Sequence, residues 1–172
     1  MADGYQLAQL NVARLRGPLE SPLLSGFVAQ LAPINALADE STGFVWRFQT
    51  EQGDATSVRP FADDLIIVNL SVWESLEALA DFAYRSSHRE VLRQRREWFQ
   101  HMVGAYVVIW WVPAGTRPTV AEARERLDHL HREGPTPFAF TFRVPFPAPD
   151  TAESPAEAAA LAGRVEPATA GA

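Results

Sequence analysis

The 172-residue chain contains no cysteine. That excludes disulfides, thiol nucleophiles, iron–sulfur clusters, thiolate-ligated haem and cysteine zinc sites. Lysine is missing too, since all fifteen basic residues are arginine, so neither a Schiff-base amine nor a Walker-type phosphate loop is available. The chain also lacks a basic excess. Its net charge of -6 disfavours nucleic acid, whose binding needs a cationic footprint. No run of about 18 apolar residues occurs, and the segment MADGYQLAQLNVARLRG has no basic stretch followed by an apolar one. A cytoplasmic protein with no membrane span is therefore expected. No His-x-x-x-His pair, carboxylate-rich loop or facial triad is visible, so no metal is expected.

What is present is a chain 47% hydrophobic and 21% charged, sufficient to bury one substantial core. The lysine-free, alanine- and arginine-rich usage points to high-GC bacterial coding. Tyr5 to Val12 reads as a strand ended by Gly17-Pro18. A helix capped by Ser21 with Pro22 at its first position should run past Ile34, kinked or shortened by Pro33. Strands are expected at Phe44 to Gln49 and Leu65 to Trp73, joined through a turn at Gln52-Gly53-Asp54. Ser75 should cap a helix, followed by a second helical stretch from about Ser87 to Phe99. Ala105 to Val112 is a strongly apolar strand. Thr119 with Glu122 forms a capping box opening a helix that ends at Gly134-Pro135, and Phe138 to Arg143 reads as a last strand.

The resulting order, β-α-β-β-α-α-β-α-β, predicts an α+β, ferredoxin-like antiparallel sheet with helices on one face, spanning residues 5–143. Residues 144–172, rich in alanine, proline, glutamate and glycine, read as a disordered tail. Side chains alternate between the faces of a strand. One face of Leu65 to Trp73 carries Ile66, Val68, Leu70 and Val72, whereas the other carries Leu65, Ile67, Asn69, Ser71 and Trp73. The first strand repeats this with Ala8, Leu10 and Val12 against Leu7, Gln9 and Asn11. If the aliphatic face lies under the helices, the tryptophan- and phenylalanine-bearing face is left uncovered. A homodimer pairing two such faces around a small-molecule cavity would cover it.

The run NLSVWESLEALADFAYRSSH, Asn69 to His88, resembles the central strand and helix of the antibiotic-biosynthesis monooxygenases and related dimeric α+β barrel families. More of the chain, from LAQLNVARLR through WWVPAG to FAFTFR, resembles a bacterial family of unknown function placed in that superfamily. The superfamily includes cofactor-independent oxygenases of aromatic polyketides, haem-degrading monooxygenases and proteins without known catalysis. The resemblance therefore implies a fold more than an activity. By that resemblance Asn11 corresponds to a first-strand Asn, Trp73 to a strand-end Trp, and His88 falls near a haem-ligating His, with a shorter spacing from Trp73.

The candidate catalytic residues are accordingly His88 as a base for an acidic phenol or enol, with Asn69 and Asn11 holding the resulting anion. Trp73, Ser71, Trp46 and Arg47 are candidates for substrate binding, the tryptophans by stacking and Arg47 by pairing with an anionic group. No cofactor is required, although haem with His88 as axial ligand is an alternative. A non-catalytic ligand-binding or structural homodimer is the other. His129 and His131 are two apart on one helix and point to different faces, and His101 has no partner at ligand spacing. The arginines of SHREVLRQRREWF read as a solvated helix face.

Overall fold

The computed structural model describes residues 4–51, 55–56, 58–85 and 95–149. Four strands, β1 (Tyr5–Arg14), β2 (Phe44–Arg47), β3 (Ile66–Trp73) and β4 (Val107–Pro113), form one antiparallel sheet in the order β2-β3-β1-β4. The helices are α1 (Ser25–Asp39), preceded by a 3-10 turn at Pro22–Leu24, α2 (Leu76–Arg85) and α3 (Val120–Glu133). This is the expected ferredoxin-like α+β arrangement, with β1 and β3 as the inner strands. The turn at Gln52-Gly53-Asp54 and most of the helix expected from Ser87 lie outside the described residues.

Local chemistry sets the helix ends. Thr119 and Glu122 close a reciprocal capping box at the start of α3, and Gly134 at φ 75° ends it, its N–H donating to the Leu130 carbonyl. Ala123, Leu127 and Leu130 then fall on one buried stripe. The Ser75 hydroxyl accepts from the Ala78 N–H at 3.1 Å, capping α2. Ser21 behaves differently. It makes no side-chain cap, and its Oγ is the buried side-chain polar atom left without a partner among the described residues. Pro33 does not shorten α1, which continues to Asp39.

The coverage of the sheet departs from expectation. The aliphatic face, with Ala8, Leu10, Val12, Val68, Leu70, Val72 and Trp110, is packed by α3 together with Phe48, Ala55 and Phe61. Helices do not share one face, because α1 and α2 lie on the other. There α2 (Leu76, Leu79, Phe82) and Phe140, Phe142 and Phe146 pack on Leu7, Trp73 and Ile109. At the opposite end Leu24, Phe27, Leu31 and Trp98 pack on Leu15, Ala13 and Ile67. Trp73 and Trp110 are thus each 1% exposed within a single chain. The uncovered aromatic face from which a partner sheet was inferred is absent among the described residues.

Two further differences have local causes. Phe138 to Arg143 is not a strand but a pair of turns, bridged between Thr136 and Ala139 and between Thr141 and Val144, that meets β4 at one point. There Phe140 and Ile109 exchange backbone hydrogen bonds of 2.9 Å. The segment expected to begin the tail is also packed. The Phe146 carbonyl accepts from the Trp111 indole N–H at 2.7 Å, and Ala148 is 4% exposed. Residues 150–172 lie outside the described residues.

Candidate functional site

Side-chain alternation in an antiparallel pair puts directly opposed residues on the same face. Across β1 and β3 the register pairs Leu7 with Trp73, Gln9 with Ser71, Asn11 with Asn69 and Ala13 with Ile67. These four pairs run in order down one face. Leu7 and Trp73 are sealed, Gln9 and Ser71 are 7% and 5% exposed, Asn11 is half-buried and Asn69 is exposed. Ile67 is buried again at 8%. This strand pair lies at the centre of the sheet and is open to solvent at Asn69, between the apolar cluster under α2 and the one under α1; this opening is the candidate cleft.

The floor is polar and its inner end is tied. The Gln9 amide Nε2 donates to Ser71 Oγ at 3.1 Å, and the Trp73 indole N–H donates to the same oxygen at 2.9 Å. Trp73 stacks on Phe82 with ring centroids 5.0 Å apart and meets Phe44 edge-on at 5.3 Å. Its indole is therefore held by two aromatic rings and at its nitrogen. Four of the expected site residues, Asn11, Asn69, Ser71 and Trp73, are brought together on this surface.

Trp46 and Arg47 are not available to it. A register shift between Phe44 and Trp46 inserts Val45 as a bulge, so Phe44 opposes Trp73 while Trp46 opposes Val72. The extra residue turns Trp46 to the aliphatic face, where it packs on the α3 side of the sheet. Arg47 keeps the polar face opposite Ser71, but its guanidinium forms a two-point pair with Asp39 at the end of α1, at 2.8 and 3.2 Å. His88 lies outside the described residues.

With this geometry in place, comparison with known proteins gives a family. Residues 6–157 match the model described as "Domain of unknown function (DUF3291)". The chain belongs to that family. No curated protein matches it. Among solved structures, PA3566 from Pseudomonas aeruginosa is similar at 13% identity and TM-score 0.44, over 67% of this chain and 99% of that one. SnoaB, a cofactor-independent oxygenase from Streptomyces nogalater, is similar at 14% identity and TM-score 0.43, over 65% and 95%. Rv0793 from Mycobacterium tuberculosis is similar at 14% identity and TM-score 0.41, over 66% and 99%.

In this DUF3291 chain further groups border the cleft that the sequence did not single out. Tyr106 precedes β4, and its carbonyl accepts from the Val12 N–H at 2.9 Å, one residue beyond Asn11. The Arg95 guanidinium sits 5.1 Å from the Tyr106 ring centroid. Tyr84, on α2, has its hydroxyl pKa pushed up by burial and secondarily by Tyr106. Neither tyrosine lies at a spacing that a sequence motif would reveal.

The remaining histidines serve other contacts. His129 pairs with Thr136 Oγ1 at 2.9 Å, and His131 with the Ala105 carbonyl at 2.6 Å. Among the described residues no group of three or more His, Asp or Glu side chains could hold a metal ion, and no described helix is long and apolar enough to cross a membrane. An open groove of about 490 Å³ lies on the outer side of α3 against Arg59 and Pro60. Two of the three arginines that line it are committed to structure. Arg124 donates to the Pro60 carbonyl at 2.6 Å, and Arg59 donates to the Asp64 carbonyl at 2.8 Å.

Proposed function

We propose that the cleft floored by Asn11 and Asn69 binds a planar, readily deprotonated organic molecule and that the protein oxidises it without metal or flavin. The observation that carries this reading is the opposed asparagine pair, open to solvent on the two inner strands and flanked by aromatic residues. Aromatic walls with a few convergent polar groups are the common composition of a small-molecule site. Carboxamide N–H groups held in place stabilise an oxyanion that develops on a bound phenol or enol.

In the reaction class proposed, a base removes the acidic proton and the electron-rich anion itself reduces oxygen. A reacting methylene loses two hydrogens and gains one oxygen atom, while the second oxygen leaves as water. His88 is the proposed base on the sequence argument alone. Trp73 and Trp110 are buried within a single chain, so this reading does not depend on a homodimer to cover them.

Oxygen uptake with an anthrone, a planar ketone with an acidic methylene, tests the reading. Uptake of one oxygen per anthrone is expected, falling about a hundredfold in Asn69→Leu, as on loss of one oxyanion donor. Uptake no faster than the protein-free rate, with binding retained, would leave a ligand-binding protein. If adding haem produced a Soret band that His88→Ala abolished, the haem-binding alternative would replace both.

A further inference from the structure

The inner end of the cleft has more hydrogen-bonding capacity than its own residues use. Ser71 Oγ accepts from both Gln9 Nε2 and the Trp73 indole, which fills its two lone pairs. The indole N–H is thereby occupied, so Trp73 serves as a wall rather than as a donor to a ligand. Gln9 is oriented by the same contact. With Nε2 turned to Ser71, the carbonyl Oε1 points away from it and makes no hydrogen bond among the described residues. Fully buried side-chain polar atoms without partners are confined, among the described residues, to Ser21 Oγ. Oε1 of Gln9, a residue only 7% exposed, therefore keeps a narrow opening to solvent. Gln9 precedes Asn11 by two on the same face, so the space adjoining that face is the cleft.

We infer that Gln9 is the specificity-determining residue of this cleft and that its Oε1 accepts a hydrogen bond from a phenolic or enolic hydroxyl on the ligand. This rests on the cleft being a small-molecule site, as proposed above. Ser71 is a positioning residue that fixes the amide so that an acceptor faces the ligand. A buried acceptor discriminates strongly, because a ligand that excludes water from Oε1 without donating to it leaves the carbonyl unpaired.

The test uses the full chain with a matched pair, 1-naphthol and 1-methoxynaphthalene, titrated by quenching of tryptophan fluorescence and by calorimetry. The hydroxyl compound should bind about tenfold more tightly than its methyl ether, the effect of one satisfied rather than unsatisfied buried acceptor. Gln9→Met, which keeps the side-chain length, should remove the preference, chiefly by raising the ether's affinity several-fold, because no acceptor is then left unpaired beneath it. Ser71→Ala should weaken the preference and Ser71→Thr should restore it, a pattern that loss of packing alone does not produce. Equal affinity of the wild-type chain for both compounds would overturn the assignment of Gln9 and leave the cleft reading intact. Failure of both compounds to bind would overturn the two together. The comparison on the wild-type chain needs no variant to fold.

Discussion

Asn11 and Asn69 face one another across the two inner strands, one half-buried and the other exposed, while Gln9, Ser71 and Ile67 beside them on the same face are buried. Exposure on an inner strand means that the side chain has no packing role to lose. Asn69→Leu should therefore change the unfolding free energy by no more than about 0.5 kcal/mol, as at other exposed sites. Ligand affinity should nevertheless drop about tenfold, the effect of deleting one hydrogen bond in a desolvated site. Urea denaturation and a fluorescence titration on the same sample check the two halves. A large loss of stability would return Asn69 to a structural role.

Trp73 and Trp46 separate in the opposite sense. Trp73 is sealed between Phe44 and Phe82 and bonded through its indole nitrogen. Trp73→Ala should cost about 3–5 kcal/mol, the usual penalty for truncating a large buried aromatic. Trp46→Phe, on the aliphatic face, should leave ligand affinity unchanged, whereas Trp73→Phe frees a lone pair on Ser71 and should alter the hydroxyl-to-ether preference. Denaturation midpoints and paired titrations report both effects. A ligand shift in Trp46→Phe would place that side chain back at the cleft.

How much of this was legible beforehand follows from the range of the forces involved. The polar face of β1 and β3 could be read because strand alternation is local and the antiparallel register preserves it, so Asn11, Asn69, Ser71 and Trp73 come out together. The capping residues Thr119, Glu122 and Ser75 were legible for the same reason. Trp46 was misplaced because one bulged residue, Val45, reverses the face of every side chain after Phe44, and no sequence signal marks it. Arg47 was free to pair with a ligand until the end of α1 brought Asp39 to it, a contact set by tertiary packing. The same holds for the face under each helix. Apolar stripes on α1, α2 and α3 say that each must bury a side, not which side of the sheet receives it. Gln9 stood on the correct face in the sequence, but its orientation depends on Ser71 and Trp73 acting together.

The pH dependence of stability should show an acid limb from two capping and clamping carboxylates. Asp63 is held below its ordinary range first by the hydrogen bond from Arg14, at 2.5 Å, and then by the Leu65 N–H. Glu122 is held down by the Thr119 backbone N–H at 2.7 Å and by its hydroxyl. A carboxylate with a depressed folded pKa stabilises the fold above its unfolded value, and that contribution is lost as pH falls through the folded value. Stability should thus decline below about pH 4, the unfolded range of these groups. Asp63→Asn and Glu122→Gln should each flatten the decline while lowering stability at neutral pH. Denaturant melts between pH 7 and 3 measure it, and unchanged slopes in both variants would remove the two groups from the acid response.

Tyr84 predicts an alkaline limb of the opposite sign. Its hydroxyl is pushed up by burial first and by the neighbouring Tyr106 second. A raised folded pKa means that the neutral phenol is favoured in the fold, so its contribution is intact below the unfolded value near 10 and disappears as pH rises through the folded one. Spectrophotometric titration at 295 nm should resolve one late tyrosine that becomes normal on unfolding and is missing in Tyr84→Phe. Tyr106→Phe should shift that step down only in part, because desolvation by α2 and Phe142 remains. A complete return to the ordinary value in Tyr106→Phe would make the neighbouring phenol the main cause.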